Sequence, residues 1–169
     1  VSAPVGWNDF RCAAHRVLEV MRITLDGESA VLKPNVTAGE KFADPDCGVG
    51  THPAFIQGMV EYLYDHGIKR GGAYVLEDPR NSNDNEPRHW RGTGYPEVVV
   101  ATGAKLRTPT SYTYVKRTIP DPLIFPTLKI SRLAVAPNTV FINVPKLKTH
   151  NLGITTLGMK NLMGVVNVF

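Results

Sequence analysis

A chain of 169 residues, 43% hydrophobic and 20% charged, is long enough for one domain with a core and too apolar for disorder. It has no apolar run of the roughly 18 residues a membrane span needs, no signal-peptide pattern in VSAPVGWNDF, and two cysteines, Cys12 and Cys47, that form neither a disulfide framework nor an iron–sulfur or zinc ligand set. The formal charge of +4 is divided unevenly: residues 1–97 carry 10 Lys/Arg and 14 Asp/Glu, whereas residues 98–169 carry 9 Lys/Arg and one acid, Asp121.

The first predicted element is an amphipathic helix over residues 8–22, with Asn8 as N-cap and Phe10, Ala13, Ala14, Val17, Leu18 and Met21 on one face. Cys12 and His15 are three apart on it, a spacing open to metal ligation or to a plain surface pair. Ala30-Val31-Leu32 reads as a buried parallel strand that delivers Lys33 to its C-terminal end, where Pro34 stops it. Ligands of open α/β sheets bind at such ends, although a lysine escaping to solvent would look the same. Gly48-Val49-Gly50 precedes a helix that opens at Pro53 and is closed by Gly67. Glycines at a helix start can cradle an anion, but neither a dinucleotide fingerprint nor a P-loop occurs.

Ala73-Tyr74-Val75-Leu76 is the next strand, ending in Glu77-Asp78, which could serve a metal or act as a base. After a long polar loop, residues 95–105 read as a helix ending at Gly103, despite the strand-like Val98-Val99-Val100. A strand is expected within 111–118, Pro120, Pro122 and Pro126 break regular structure, and residues 130–136 are ambiguous. Residues 139–144 form a strand. It feeds Pro145-Lys146-Leu147-Lys148-Thr149-His150, whose alternate positions share a face if the segment stays extended. Residues 155–166 then fit a helix, with Gly153, Thr156, Lys160 and Gly164 along one stripe. The alternation predicts a three-layer α/β domain with a mostly parallel sheet and helices on both faces, Rossmann-like.

The pieces Lys33-Pro34-Asn35, Thr51-His52-Pro53, Asn143-Val144-Pro145-Lys146-Leu147-Lys148-Thr149-His150 and Lys160-Asn161-Leu162-Met163-Gly164 together resemble the domain-of-unknown-function family numbered 362, which is bacterial and archaeal. The resemblance spans nearly the whole chain and about the first half of the family's domain. It implies a single α/β domain over residues 1–169 that is the N-terminal part of a longer one. It also implies a link to ferredoxin-type iron–sulfur modules, hence redox-linked chemistry. Carried over residue by residue, the implied site is Lys33, Asn35, Lys146, Lys148, His150, Lys160 and Asn161, with Thr51 and His52 contributed by the second piece.

Three functions follow. The first is an enzyme holding an anionic substrate or cofactor on the lysines, with His150, Lys148 and Lys160 as catalytic candidates and Lys33, Asn35, Thr51, His52, Lys146 and Asn161 as ligand-binding ones. The second is a non-catalytic module recruiting an acidic, ferredoxin-like partner. The third, nucleic-acid binding, ranks last because the basic residues are not interleaved with several aromatics. No metal site is expected, the cofactor is open, and the low cysteine content favours a reducing, cytoplasmic compartment.

Overall fold

The apolar run Ala30-Val31-Leu32 forms the middle of β1 (Ser29–Pro34), a strand buried on both faces, as its uninterrupted hydrophobicity requires. The computed structural model describes residues 5–36, 44–78, 90–109, 114–150 and 154–167, and for residues 150, 154, 156 and 167 the backbone alone. β1 pairs in parallel with β2 (Ala73–Leu76) on one side and with β6 (Thr139–Val144) on the other. β2 pairs in parallel with β3 (Lys105–Arg107), an edge strand of three residues too short to show a periodicity of its own. The sheet order is β3-β2-β1-β6.

One face of this sheet is covered by helices. α2 (Pro53–Asp65) lies against it, with Ile56, Met59, Val60 and Leu63 buried, and is closed by Gly67 at φ 114°. α1 (Trp7–Met21) packs on α2 and buries Ala14 and Leu18. The expected stripe is wider than this contact: Val17 and Met21 remain exposed because α1 rests on a helix and not on the sheet. Its N-cap is Gly6, not Asn8. The Gly6 amide donates to Asp9 Oδ2 at 2.8 Å, an acid placed well for the helix dipole. α3 (Tyr95–Thr102) is bracketed by Gly94 at φ 75° and Gly103 at φ 76°. Those two turns hold Val98-Val99-Val100 in a helix against its strand preference, with Val98 buried and Val100 exposed.

The opposite face is covered by two 3₁₀ turns, Arg132–Val135 and Leu162–Val165, whose Leu133, Ala134, Leu162 and Val165 pack on Val31, Leu76 and Phe141. A second, antiparallel sheet joins β4 (Tyr114–Thr118), β5 (Thr127–Ser131) and β9 (Val166–Asn167). The ambiguous stretch 130–136 therefore splits between β5 and a 3₁₀ turn.

The helix expected over 155–166 does not form. In its place come the hairpin β7 (Lys148–His150) and β8 (Ile154–Thr156), the single turn α4 (Gly158–Asn161), the Leu162–Val165 turn and β9. Helical glycine costs about 1 kcal/mol against alanine, and Ile154-Thr155-Thr156 is β-branched throughout, which favours a strand. The glycine stripe is therefore not a helix face, and Gly153 lies outside the described residues. No helix among the described residues is long and apolar enough to cross a membrane.

Gly58 sets the approach of α1 to α2. A Cβ there would lie 2.3 Å from the Arg11 carbonyl oxygen and 2.9 Å from Ala14 Cβ. Gly58→Ala should lower stability by about 1–3 kcal/mol, the cost of overpacking, despite alanine's better helix propensity. Urea denaturation measures it, and a variant as stable as the parent would contradict this crossing.

Candidate functional site at the end of the parallel sheet

The chain runs outward from β1 to β2 and β3, then returns to place β6 on the other side of β1. The strand order thus reverses between β1 and β6, and ligands of open α/β sheets bind at the carboxyl ends of strands at such a reversal. Register brings the right residues there: Lys33 is opposite Asn143, and Pro34 opposite Val144. Asn35 follows β1 directly, and Pro145 and Lys146 follow β6, with Lys148 two residues further on.

Lys33 does not escape to solvent. It is 1% exposed and its Nζ donates to Glu77 Oε2 at 2.5 Å, to the Pro34 carbonyl at 2.6 Å and to Asn161 Oδ1 at 3.3 Å. Glu77, from the end of β2 and also 1% exposed, accepts in addition from the Val36 amide at 3.3 Å and the Asp78 amide at 2.9 Å. Burial is the largest influence on both groups. It pushes the Lys33 amine down and the Glu77 carboxyl up, and their mutual attraction opposes both shifts.

Asn161 joins this pair to β6. Its Nδ2 donates to the Lys33 carbonyl at 2.9 Å and to Asn143 Oδ1 at 2.8 Å, while its Oδ1 accepts from Lys33 and, at 3.4 Å, from Asn35 Nδ2. Asn143 Nδ2 in turn donates to the Gly158 carbonyl at 2.9 Å. Gly164 closes over the pair: a Cβ there would lie 2.8 Å from both Glu77 Oε1 and Lys33 Cε. The Lys160-Asn161-x-x-Gly164 spacing thus has a physical reading, in which asparagine latches the strands and glycine admits the buried ions. Asn35 Oδ1 is buried with no hydrogen-bond partner among the described residues.

Thr51 and His52 serve the frame. Thr51 Oγ1 donates to the Val144 carbonyl at 2.8 Å and accepts from the Asn35 amide at 3.0 Å, tying the α2 entrance to both strand ends. The phenol of Tyr95 donates to the Thr51 carbonyl at 2.9 Å. His52 caps α2, its Nδ1 accepting from the Ala54 amide at 3.2 Å. It stacks on Phe10 and lies 3.4 Å from Asp46. Burial pushes the His52 imidazole below its usual value, with Asp46 opposing.

Above this frame stand the remaining lysines. Lys148 Nζ donates to the Val49 carbonyl at 2.9 Å, so the glycine loop before α2 lies beside β7. Burial and then the nearby charge of Lys160 push the Lys148 amine down, Lys146 adds to this, and Glu77 and Cys47 oppose it. The charges of Lys160 and Lys146 therefore reach Lys148. His150 pairs through its backbone with Ile154, and its side chain is outside the description. Cys12 and His15 lie elsewhere, on α1, where His15 Nε2 is 3.7 Å from Glu61. Among the described residues no group of three metal-ligating side chains occurs. Sequence reasoning passed over Asn143. It treated Glu77 as one of two adjacent acids, and the signal that separates them is the pairing of β1 with β2, which only the fold supplies.

Removing one member of the Lys33–Glu77 pair leaves the other charged and buried. Lys33→Met and Glu77→Leu should each cost about 3–5 kcal/mol, and the double substitution should cost clearly less than the two together. A double-mutant cycle by chemical denaturation measures this. Strictly additive losses would mean that the two groups do not act as a pair.

No curated protein and no solved structure matches the chain. Residues 30–168 match the family described as Domain of unknown function (DUF362), which spans β1, the Lys33–Glu77 pair, the lysines and the Asn161–Gly164 closure. The chain belongs to this family.

Proposed function

We propose that the strand ends of β1 and β6 form a binding site for a small anionic substrate or cofactor, with Lys146, Lys148 and Lys160 supplying the positive charge. The observation that carries this is the seating of Lys148, held on the Val49 carbonyl at the topological reversal between β1 and β6, within reach of the charges of Lys160 and Lys146. Like charges so placed repel unless an anion lies between them. The acid below them, Glu77, is already paired with Lys33. Asn35 Oδ1 adds a buried acceptor that has no partner among the described residues, suited to a ligand that also carries an O–H or N–H donor.

In this reading Lys148 and Lys160 bind and polarise the anion, and His150 is the acid–base candidate. Lys33 and Asn161 act from beneath as positioning groups, with Asn35, Thr51 and His52 shaping the floor and its entrance. The family resemblance links the reaction to iron–sulfur redox chemistry, with the cluster supplied by a separate module. A second reading rests on Leu147, Met159 and Met163, which are exposed around the same lysines. There the surface receives an acidic, ferredoxin-like protein without catalysis.

Titration with phosphate, a nucleotide and a dicarboxylate tests the first reading. Lys148→Ala and Lys160→Ala should each weaken the best of these by about 1.5–3 kcal/mol, the range for hydrogen bonds to charged groups. Unchanged affinity in both variants would remove those residues from the site. Binding should also depend on pH with a defined sign. The anion favours protonated Lys148, so affinity is complete below that amine's lowered value and falls as pH rises through it, before ordinary lysines near 10.5 titrate. Calorimetry in buffers of different ionisation enthalpy would show the accompanying proton uptake.

A further inference from the structure

Away from this site, the hairpin of β4 and β5 projects an apolar tip that the proposed function does not use. Leu123 is 102% exposed, Ile124 78% and Phe125 50%. These are consecutive residues, whereas a strand covering a core would alternate apolar and polar side chains. The ladder closes with the Ile119 amide donating to the Pro126 carbonyl at 3.0 Å. Beyond it, Pro120 and Pro122 fix their own φ angles and offer no amide, which limits how far the loop can fold back over its side chains.

Behind the tip the hairpin is basic. Lys116 and Lys129 are opposite each other in register and both exposed, Arg117 is exposed at the next position of β4, and Arg132 follows β5. The single acid in residues 114–132 is Asp121. Lys116 lies three residues from Ile119, or about 10 Å along an extended strand. The apolar tip lies beyond Ile119, so apolar side chains lead and cations trail along the hairpin, the order in which an interfacial element meets acyl chains and headgroups.

We infer that this hairpin is a membrane-contacting finger, placing Leu123, Ile124 and Phe125 among the acyl chains of an anionic lipid surface while Lys116, Arg117 and Lys129 meet its headgroups. A fluid bilayer accepts a convex wedge without a matching pocket. Two copies of the finger would oppose like charges, whereas anionic headgroups complement the exposed Lys116, Arg117 and Lys129. The inference is independent of the lysines at the sheet end.

Sedimentation of the 169-residue chain with vesicles tests it, using phosphatidylcholine alone and phosphatidylcholine mixed with phosphatidylglycerol. The chain should bind the mixed vesicles, bind the neutral ones weakly, and be released by salt. Leu123→Ser/Ile124→Ser/Phe125→Ser should reduce partitioning on the order of 100-fold, and Lys116→Ala/Lys129→Ala by about fivefold per cation. These side chains are outside the core, so unchanged circular dichroism and thermal unfolding would accompany both losses. The inference is overturned if the parent chain ignores anionic vesicles or if the tip variant binds them as well as the parent. It is likewise overturned if the tip instead drives self-association or capture of an acidic protein without lipid binding.

Discussion

Lys33 and Glu77 form a buried ion pair on which the arrangement of the sheet ends depends. Two charges withdrawn from water gain little net stability from each other, since desolvation offsets most of their attraction. What the pair contributes is uniqueness. Lys33 has three acceptors and Glu77 has three donors, so neither can shift without leaving a buried charge short of a bond. Through Asn161 the same network fixes β6 and the turn after α4. The pair also neutralises itself, so it adds no net charge to the sheet end.

Much of this was legible in the chain. Apolar runs bounded by proline or glycine located β1, β2 and β6, and a strand end correctly placed Lys33 at the rim of the sheet. Its burial was not legible, because a lysine after Leu32 looks the same whether it meets solvent or a carboxylate 44 residues away. The same limit hid the roles of Asn143 and Gly164, whose partners come from other strands. The helix expected over residues 155–166 failed for a different reason: the stripe of Gly153, Thr156, Lys160 and Gly164 falls at helical spacing, but nothing offsets the cost of helical glycine, and the β-branched Ile154-Thr155-Thr156 favours a strand. For α3 the balance ran the other way, with Gly94 and Gly103 prevailing over three valines.

The uneven charge also acquires a structural meaning. Seven of the nine cations of the second half fall in two places, the sheet end and the β4–β5 hairpin with the turn that follows it, and the other two, Lys105 and Arg107, lie on β3. A basic half-chain is therefore not one uniform field. One group is half-buried and ordered by the family's motif residues. The other is exposed on a projecting arm, with no hydrogen bonds to the sheet-end network among those described.

The pairing of β1 with β6 has a consequence for how the protein is made. Ser29 and Thr139 share a side-chain hydrogen bond across 110 residues of sequence. During synthesis β1 can join β2 and α2 long before β6 leaves the ribosome. Until then its outer edge presents unpaired amides and carbonyls flanked by Ala30, Val31 and Leu32, the kind of edge that recruits foreign strands. Pairing β1 with β6 closes the longest loop in the sheet, a slow kind of step. Through that interval the most apolar strand of the sheet is half-covered, and β6 is the element that ends its exposure.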